Sequence, residues 1–304
     1  MELRHLRYFV AVAEEGSITK AAERLHIQQP PLGQQIRLLE EELGVQLFDR
    51  LPKRIMLNAA GGVFLEEARA VLARAREAME HVRRFDRGER GRLIVGFTSS
   101  ASLHKLTPRI LRTFRDEYPL AKIEVEERET YELILALQEK RIDAALLHIS
   151  SEGFADLEST VLARENMVAA IPRDHPLAAN EPSEPVTLAM LAGQDLVIYR
   201  RADGPGIFDA ITRALDAEHI KVNIVDQVSR LIAAINLVAA GRGVTLVPAS
   251  IQVLHREAVI YRPVWQHSLP PLPLYAIYRK NNRLALVNNF IAKTIELAGI
   301  ESTP

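Results

Sequence analysis

The chain has 304 residues, enough for two or three domains, and its 48% hydrophobic and 25% charged content is that of an ordinary globular protein. It has no cysteine, which excludes disulfides, thiolate nucleophiles and cysteine-ligated metals, and no run of eighteen apolar residues that would span a membrane. The net charge of −1 carries no nucleic-acid signal, and residues 1–58 balance eight Lys/Arg against eight Asp/Glu, so any DNA-binding reading must rest on how charge is distributed.

Leu3, Leu6, Val10 and Ala13 predict a first helix over residues 2–14. The short apolar run YFVAVA gives way to Glu14 and Glu15, which does not read as an export signal, so a cytoplasmic protein is expected. A second helix is capped by Ser17 and carries Ile18, Ala21, Ala22 and Leu25 on one face. His26-Ile27-Gln28 makes a tight turn. The third helix has Pro30 and Pro31 in its first turn, where a missing N–H costs nothing, and Leu32, Ile36, Leu39 and Leu43 as its inward stripe. That spacing leaves Gln29, Gln34, Gln35 and Arg37 on other faces of its N-terminal half. Gln and Arg pair with base edges in a major groove, and two helices about a tight turn fit helix–turn–helix geometry. The same periodicity also fits any helix pair in a bundle. Glu40, Glu41 and Glu42 fall late in the helix, away from the reading end. Arg50, Lys53 and Arg54 cluster around a turn at Pro52, and residues 54–57 read as a strand, giving a basic two-stranded wing that meets phosphates or a minor groove.

Asn58 caps a helix reaching about Arg87. Phe64, Ala68, Val71, Ala75, Ala78, Val82 and Phe85 form a heptad seam along it. A helix of about thirty residues spans roughly 45 Å, too long to bury that seam against the small N-terminal domain, so dimerisation through it is expected, as a two-fold operator requires. Arg87 to Gly91 is a polar hinge. Beyond it strands and helices alternate: RLIVGFT, a helix ending at Pro119, KIEVEE, TYELILALQEKR and IDAALLHI, then a long strand region near 158–171. After a Pro-rich loop at 172–185 come LVIYR, a helix opening at Pro205-Gly206-Ile207, VNIVD, SRLIAAINLVAAG, GVTLVP, LPLYAIYR and a closing helix. This alternation predicts parallel sheets in two α/β lobes, the chain crossing near 162 and returning near 268. The expected division is 1–58 for the winged helix–turn–helix domain, 59–87 for the linker helix and 88–304 for the remainder, with lobe I at about 91–162 and 268–304 and lobe II at about 163–267.

No phosphate loop, zincin motif or nucleophile elbow occurs, and the nine histidines show no metal spacing, so neither an enzyme nor a cofactor or metal is expected. Ligands of open α/β sheets sit beyond the carboxyl ends of the strands. Ser99 and Ser100 after the first strand, Thr130 opening the next helix, His148 after the third strand, and Pro205, Gly206 and Ile207 in the other lobe all fall there. Hydroxyls and free N–H groups at helix starts suit an anion, to which a protonated histidine would add charge. Each serine or threonine also reads as a plain helix cap.

The opening fifty residues, with Phe9, Gly16-Ser17, Ala21-Ala22, Leu25, Gln29-Pro30, Ile36, Leu39-Glu40, Leu43-Gly44, Leu47-Phe48 and Arg50 in register, resemble LysR-type transcriptional regulators. The stretches MELRHLRYFVAVAEE, QQPPL, EEELGVQLFDR, KRIDAAL and LVAAGRGVTLVPAS are similar to the benzoate, muconate and chlorocatechol group. The resemblance covers nearly the whole chain. It implies an α/β protein with an N-terminal all-α winged helix–turn–helix domain, a long linker helix and a two-lobed, periplasmic-binding-protein-like effector domain. It further implies a homotetramer, double-stranded DNA and RNA polymerase as partners, and a small anionic effector, aromatic or dicarboxylic, contacted by Ser100, Thr130, Pro205 and Ile207. Two departures stand out: the group's arginine after RIDA is His148, and its serine–arginine pair in the recognition helix is Gly33-Gln34. A solute-binding protein with a fused N-terminal region and an α/β enzyme are the alternatives from other classes. The first lacks a signal peptide and the second a catalytic constellation.

Overall fold

A computed structural model describes residues 1–51, 54–179, 181, 183–199, 207–265 and 269–301. They fall into two compact units, Met1–Arg84 and Phe85–Pro304.

The first unit starts with α1 (Leu3–Glu15), α2 (Ile18–Leu25) and α3 (Gln29–Leu43). Gly16 turns the chain between α1 and α2 at φ 57°, a left-handed conformation that a residue with a Cβ resists, and Ser17 caps α2 by accepting the Lys20 N–H. β1 (Phe48–Leu51) and β2 (Arg54–Leu57) pair antiparallel, with Leu51 opposite Arg54 across the expected wing turn. α4 (Ala59–Asp86) follows. Asn58 Oδ1 accepts the Gly61 N–H at 2.8 Å while its Nδ2 donates to the Gln46 carbonyl, so one side chain starts the helix and ties it to the wing.

Leu6, Phe9, Val12, Ala21, Leu32, Ile36 and Leu39 close over Leu47, Phe48 and Ile55 in one core, with Phe9 5.3 Å from Phe48 and 4.9 Å from Phe64 between ring centres. Two inward positions expected from periodicity are exposed, Leu3 and Leu43. Both stand at the end of a helix, beyond the reach of the core. The buried place on the last turns of α3 goes instead to Glu40, whose Oε1 accepts the backbone N–H groups of Leu47 and Phe48 at 2.8 and 3.3 Å. The acid set aside as distant from the reading end therefore anchors the entry to the wing.

Among the described residues the second unit holds three sheets, one of five strands in the first lobe and, in the second, one of three strands and one of two. In the first lobe, β3 (Arg90–Phe97), β4 (Leu120–Glu127) and β5 (Ala144–Leu147) are parallel, joined through α5 (Ser99–Leu103), α6 (Leu106–Glu117) and α7 (Thr130–Gln138). Both faces are covered. Ala144 and Leu146 pack in the cluster that holds Ile110, Phe114 and Phe290, whereas Ala145 and Leu147 join Leu133, Ile134 and Leu137. A strand buried on both faces has to be apolar at every position, which is why IDAALLHI reads as a continuous run.

β6 (Leu157–Glu165) extends this sheet to Glu165. Only after Asn166 does β7 (Met167–Pro172) enter the second lobe. The expected crossing near residue 162 therefore lies four residues too early, because two strands in succession read as one apolar stretch. The second lobe contains β7, β8 (Asp195–Tyr199), α8 (Ile207–Ala217), β9 (Asn223–Val228), α9 (Leu231–Ala239), β10 (Thr245–Pro248) and β11 (Val259–Pro263), the last not anticipated. Leu269 still packs in this lobe, so the chain rejoins the first sheet at β12 (Leu272–Arg279), a few residues beyond the expected 268, and ends with α10 (Ala285–Glu301).

The five-stranded sheet is mixed, the three-stranded one is antiparallel, and only the pair β8–β9 is purely parallel. β12 runs antiparallel to β5 and β6 in the order β4-β3-β5-β12-β6, and β7 lies antiparallel between β10 and β11. Leaving along β6 and returning along the neighbouring β12 forces opposite directions on the two strands. Among the described residues no helix is long and apolar enough to cross a membrane, and no cluster of three potential metal ligands occurs.

Candidate functional site

The N-terminal half of α3 is sorted by burial. Leu32 and Ile36 face the core, while Gln29, Pro30, Pro31, Gln34 and Arg37 are exposed. Gly33 has open space where a side chain would stand. Gln35 departs from the expected surface: it is half-buried and its Oε1 is shut off from solvent without a hydrogen-bond partner among the described residues, because it lies one position before Ile36 at the edge of the buried stripe. Arg54 is exposed on the wing. Lys53 lies outside the described residues, as does the side chain of Arg50.

The expected seam of α4 divides in two. Phe64 packs on Phe9 and Ala68 is 1% exposed, so both belong to the core of the first unit and are spent before a partner arrives. Beyond them Val71, Val82 and Phe85 are 44, 69 and 57% exposed, Ala75 is half-buried and Ala78 exposed, and Met79 adds to the apolar surface.

In the second unit the sheet ends bring Ser100 and His148 together, with Ser100 Oγ 3.2 Å from His148 Nδ1 and 3.2 Å from Thr98 Oγ1. Ser100, Thr130 and His148 are buried. Ser99 donates its hydroxyl to Glu127, and Thr130 opens α7 inside a capping box formed by Glu129 and Glu132. The Ser99 hydroxyl, expected to await an anion, therefore already has an acidic partner. The His148 ring does not stand alone either, since its Nε2 lies 3.8 Å from Glu165 Oε2. Burial alone would raise the Glu165 carboxyl. The His148 ring, the backbone N–H of Ser250 and the field of His104 outweigh it and hold the group below the ordinary carboxylate value. Sequence reasoning missed Glu165 and Ser250; a charged residue inside an apolar strand run was the one available signal. Pro205 and Gly206 lie outside the described residues, as does the side chain of Ile207.

A winged helix–turn–helix followed by a two-lobed α/β domain with polar groups at its lobe junction defines a one-chain, ligand-responsive DNA-binding regulator. Residues 3–62 match the model of the bacterial regulatory helix–turn–helix protein, lysR family, and residues 86–297 match the LysR substrate binding domain. The chain belongs to the LysR family of transcriptional regulators. It is 40% identical to the transcriptional regulator CatR of Pseudomonas putida over 262 residues, 86% of this chain and 87% of that protein. Among solved structures it matches CbnR, a LysR family transcriptional regulator, with TM-score 0.86 at 28% identity over 97% of this chain and all of that one. The full-length CbnR complex with target DNA matches at 0.84, covering 98% of this chain and all of that one, also at 28%. The BenM effector binding domain with its effector benzoate matches at 0.62 and 25% identity, over 70% of this chain and 94% of that one.

Proposed function

We propose that this LysR-type regulator reads a two-fold operator through Gln29, Pro30, Pro31, Gln34 and Arg37 of α3, with Arg50, Lys53 and Arg54 of the wing on the phosphates. The observation that carries this reading is the exposed N-terminal face of α3, where polar residues and prolines alternate with the buried Leu32 and Ile36. The glutamines offer bidentate contacts to adenine, and Arg37 to guanine or phosphate. Gln35, with its carbonyl oxygen turned inward, acts more as a support for the helix than as a reader. The open space at Gly33 fits a change in operator preference relative to regulators with a serine there.

The working division is 1–58, 59–87 and 88–304, with α4 pairing two copies through the stretch from Val71 to Phe85, whose apolar surface the chain itself leaves uncovered. A tetramer of two such dimers, action in the cytoplasm with RNA polymerase, and the absence of catalysis belong to the same reading. The lobe junction takes a small carboxylate, aromatic or dicarboxylic. Likeness to the benzoate-bound BenM domain supports it, and so does the gathering of Ser100, Thr130 and His148 at one rim. Such a ligand changes transcription only by binding two arrangements of the oligomer unequally. Footprinting on DNA flanking the gene, with and without benzoate and cis,cis-muconate, tests the reading. A protected two-fold site whose extent changes with an acid supports it. Protection indifferent to both acids removes the effector assignment.

A further inference from the structure

Three stretches far apart in sequence meet at the lobe junction. Ser100 and His148 stand at the ends of first-lobe strands, Glu165 ends β6, and Ser250 lies in the short 3-10 turn after β10 of the second lobe. His148 and Glu165 are 7 and 6% exposed. One Glu165 oxygen accepts the Ser250 backbone N–H. Three further polar atoms, His148 Nε2, Glu165 Oε2 and Ser250 Oγ, are buried and have no hydrogen-bond partner among the described residues. Unpaired buried polar atoms are costly, and neighbours left unpaired together ask for a shared partner. Nε2 and Oε2 are 3.8 Å apart, beyond a direct bond but within reach of a single oxygen between them.

The polarity of the neighbouring bonds specifies that oxygen. Thr98 Oγ1 accepts the Ala101 N–H, so its own hydroxyl is free to donate to Ser100 Oγ. With Ser100 donating to His148 Nδ1, the ring carries a proton on Nε2 and donates from there. The missing atom must accept from Nε2–H and donate to Glu165 Oε2, a carboxylate that only accepts. A carboxylate has nothing to donate and would be repelled by Glu165; a carbonyl has nothing to donate either. A hydroxyl does both, and Ser250 Oγ adds a third bond in either direction.

We propose that His148, Glu165 and Ser250 form a hydroxyl-recognising subsite at the lobe junction, so that the effector is a hydroxylated carboxylic acid. The proposal rests on the reading that this junction takes a carboxylate. Because Ser250 belongs to one lobe and His148 to the other, the ligand hydroxyl also bridges the two.

Calorimetry on the full chain, with benzoate against its 2-, 3- and 4-hydroxy isomers and succinate against malate, tests it. At least one hydroxylated acid is expected to bind about tenfold more tightly than its parent, since a site built around a hydroxyl is left with unpaired groups by the analogue lacking it. Glu165→Gln and Ser250→Ala should each collapse that ratio toward unity; the half-buried Ser250 gives a readout even where Glu165→Gln folds poorly. Parent and hydroxylated acids binding equally overturns the subsite and leaves water as its occupant, with the carboxylate reading intact. A ratio that survives both variants also overturns it. No binding by any acid overturns the carboxylate reading and the subsite together.

Discussion

Replacing Glu40 tests how α3 and the wing are held in one rigid reading unit. Its carboxylate accepts the N–H groups of Leu47 and Phe48 at 2.8 and 3.3 Å, and the side chain is 8% exposed. A hydrogen bond to a charged group contributes about 1.5–3 kcal/mol and a neutral one about 0.5–1.5 kcal/mol. Glu40→Gln keeps an acceptor oxygen and loses the charge. With the second bond already long, its cost should be about 1–2 kcal/mol. Glu40→Ala leaves two N–H groups without their acceptor at about 1–3 kcal/mol each, so about 2–6 kcal/mol in all. Amide hydrogen exchange reports the loss where it arises: each 1.4 kcal/mol of lost local stability is about a tenfold faster exchange at Leu47 and Phe48. Operator affinity should fall with it, because the wing no longer holds its place relative to α3. Unchanged exchange at both amides in Glu40→Ala would refute the anchoring role.

Asn58→Ala removes both the α4 cap and the tie to Gln46, and should lower the thermal stability of the N-terminal unit by about 1–2 kcal/mol, measured by calorimetry. Val71→Asp should shift the full chain toward smaller species in sedimentation by placing an unpaired charge in the proposed α4 pairing surface, whereas Phe64→Ala should act mainly on stability because that ring serves its own domain. Glu165 is held below its ordinary value in the folded chain, so the unfolded chain binds the proton more readily. Its contribution is present at neutral pH and is lost as pH falls from the ordinary carboxylate range through the lower native value. Thermal unfolding between about pH 7 and about pH 3 should show a shallower acid limb in Glu165→Gln, and an unchanged limb would remove Glu165 from the account.

Periodicity located the helices because their cores are local. Leu32, Ile36 and Leu39 repeat at the spacing of one buried face, and Ser17 and Asn58 cap as their types suggest. It failed where a residue's partner is distant or is backbone. Nothing beside Glu40 signals that it serves the N–H groups of Leu47 and Phe48. The seam of α4 continued into Phe64 and Ala68 because a heptad records an apolar stripe and not which surface covers it. The antiparallel return of β12 depends on where the chain comes back, which no local pattern encodes. At the lobe junction Ser100, Thr130 and His148 were legible from their place at strand ends. Glu165 and Ser250, which change the chemistry from a cationic rim to a hydroxyl-seeking one, come together only in three dimensions.

The central claim is that the exposed face of α3 reads sequence while the wing supplies charge. Salt-titrated binding of wild type, Gln34→Ala and Arg54→Ala to operator and to scrambled DNA tests it most directly. Gln34→Ala should weaken operator binding by about 1–3 kcal/mol and leave scrambled DNA nearly untouched. Arg54→Ala should weaken both and lower the salt slope by about one. Equal losses on both DNAs for Gln34→Ala, with an unchanged salt slope for Arg54→Ala, would contradict the account.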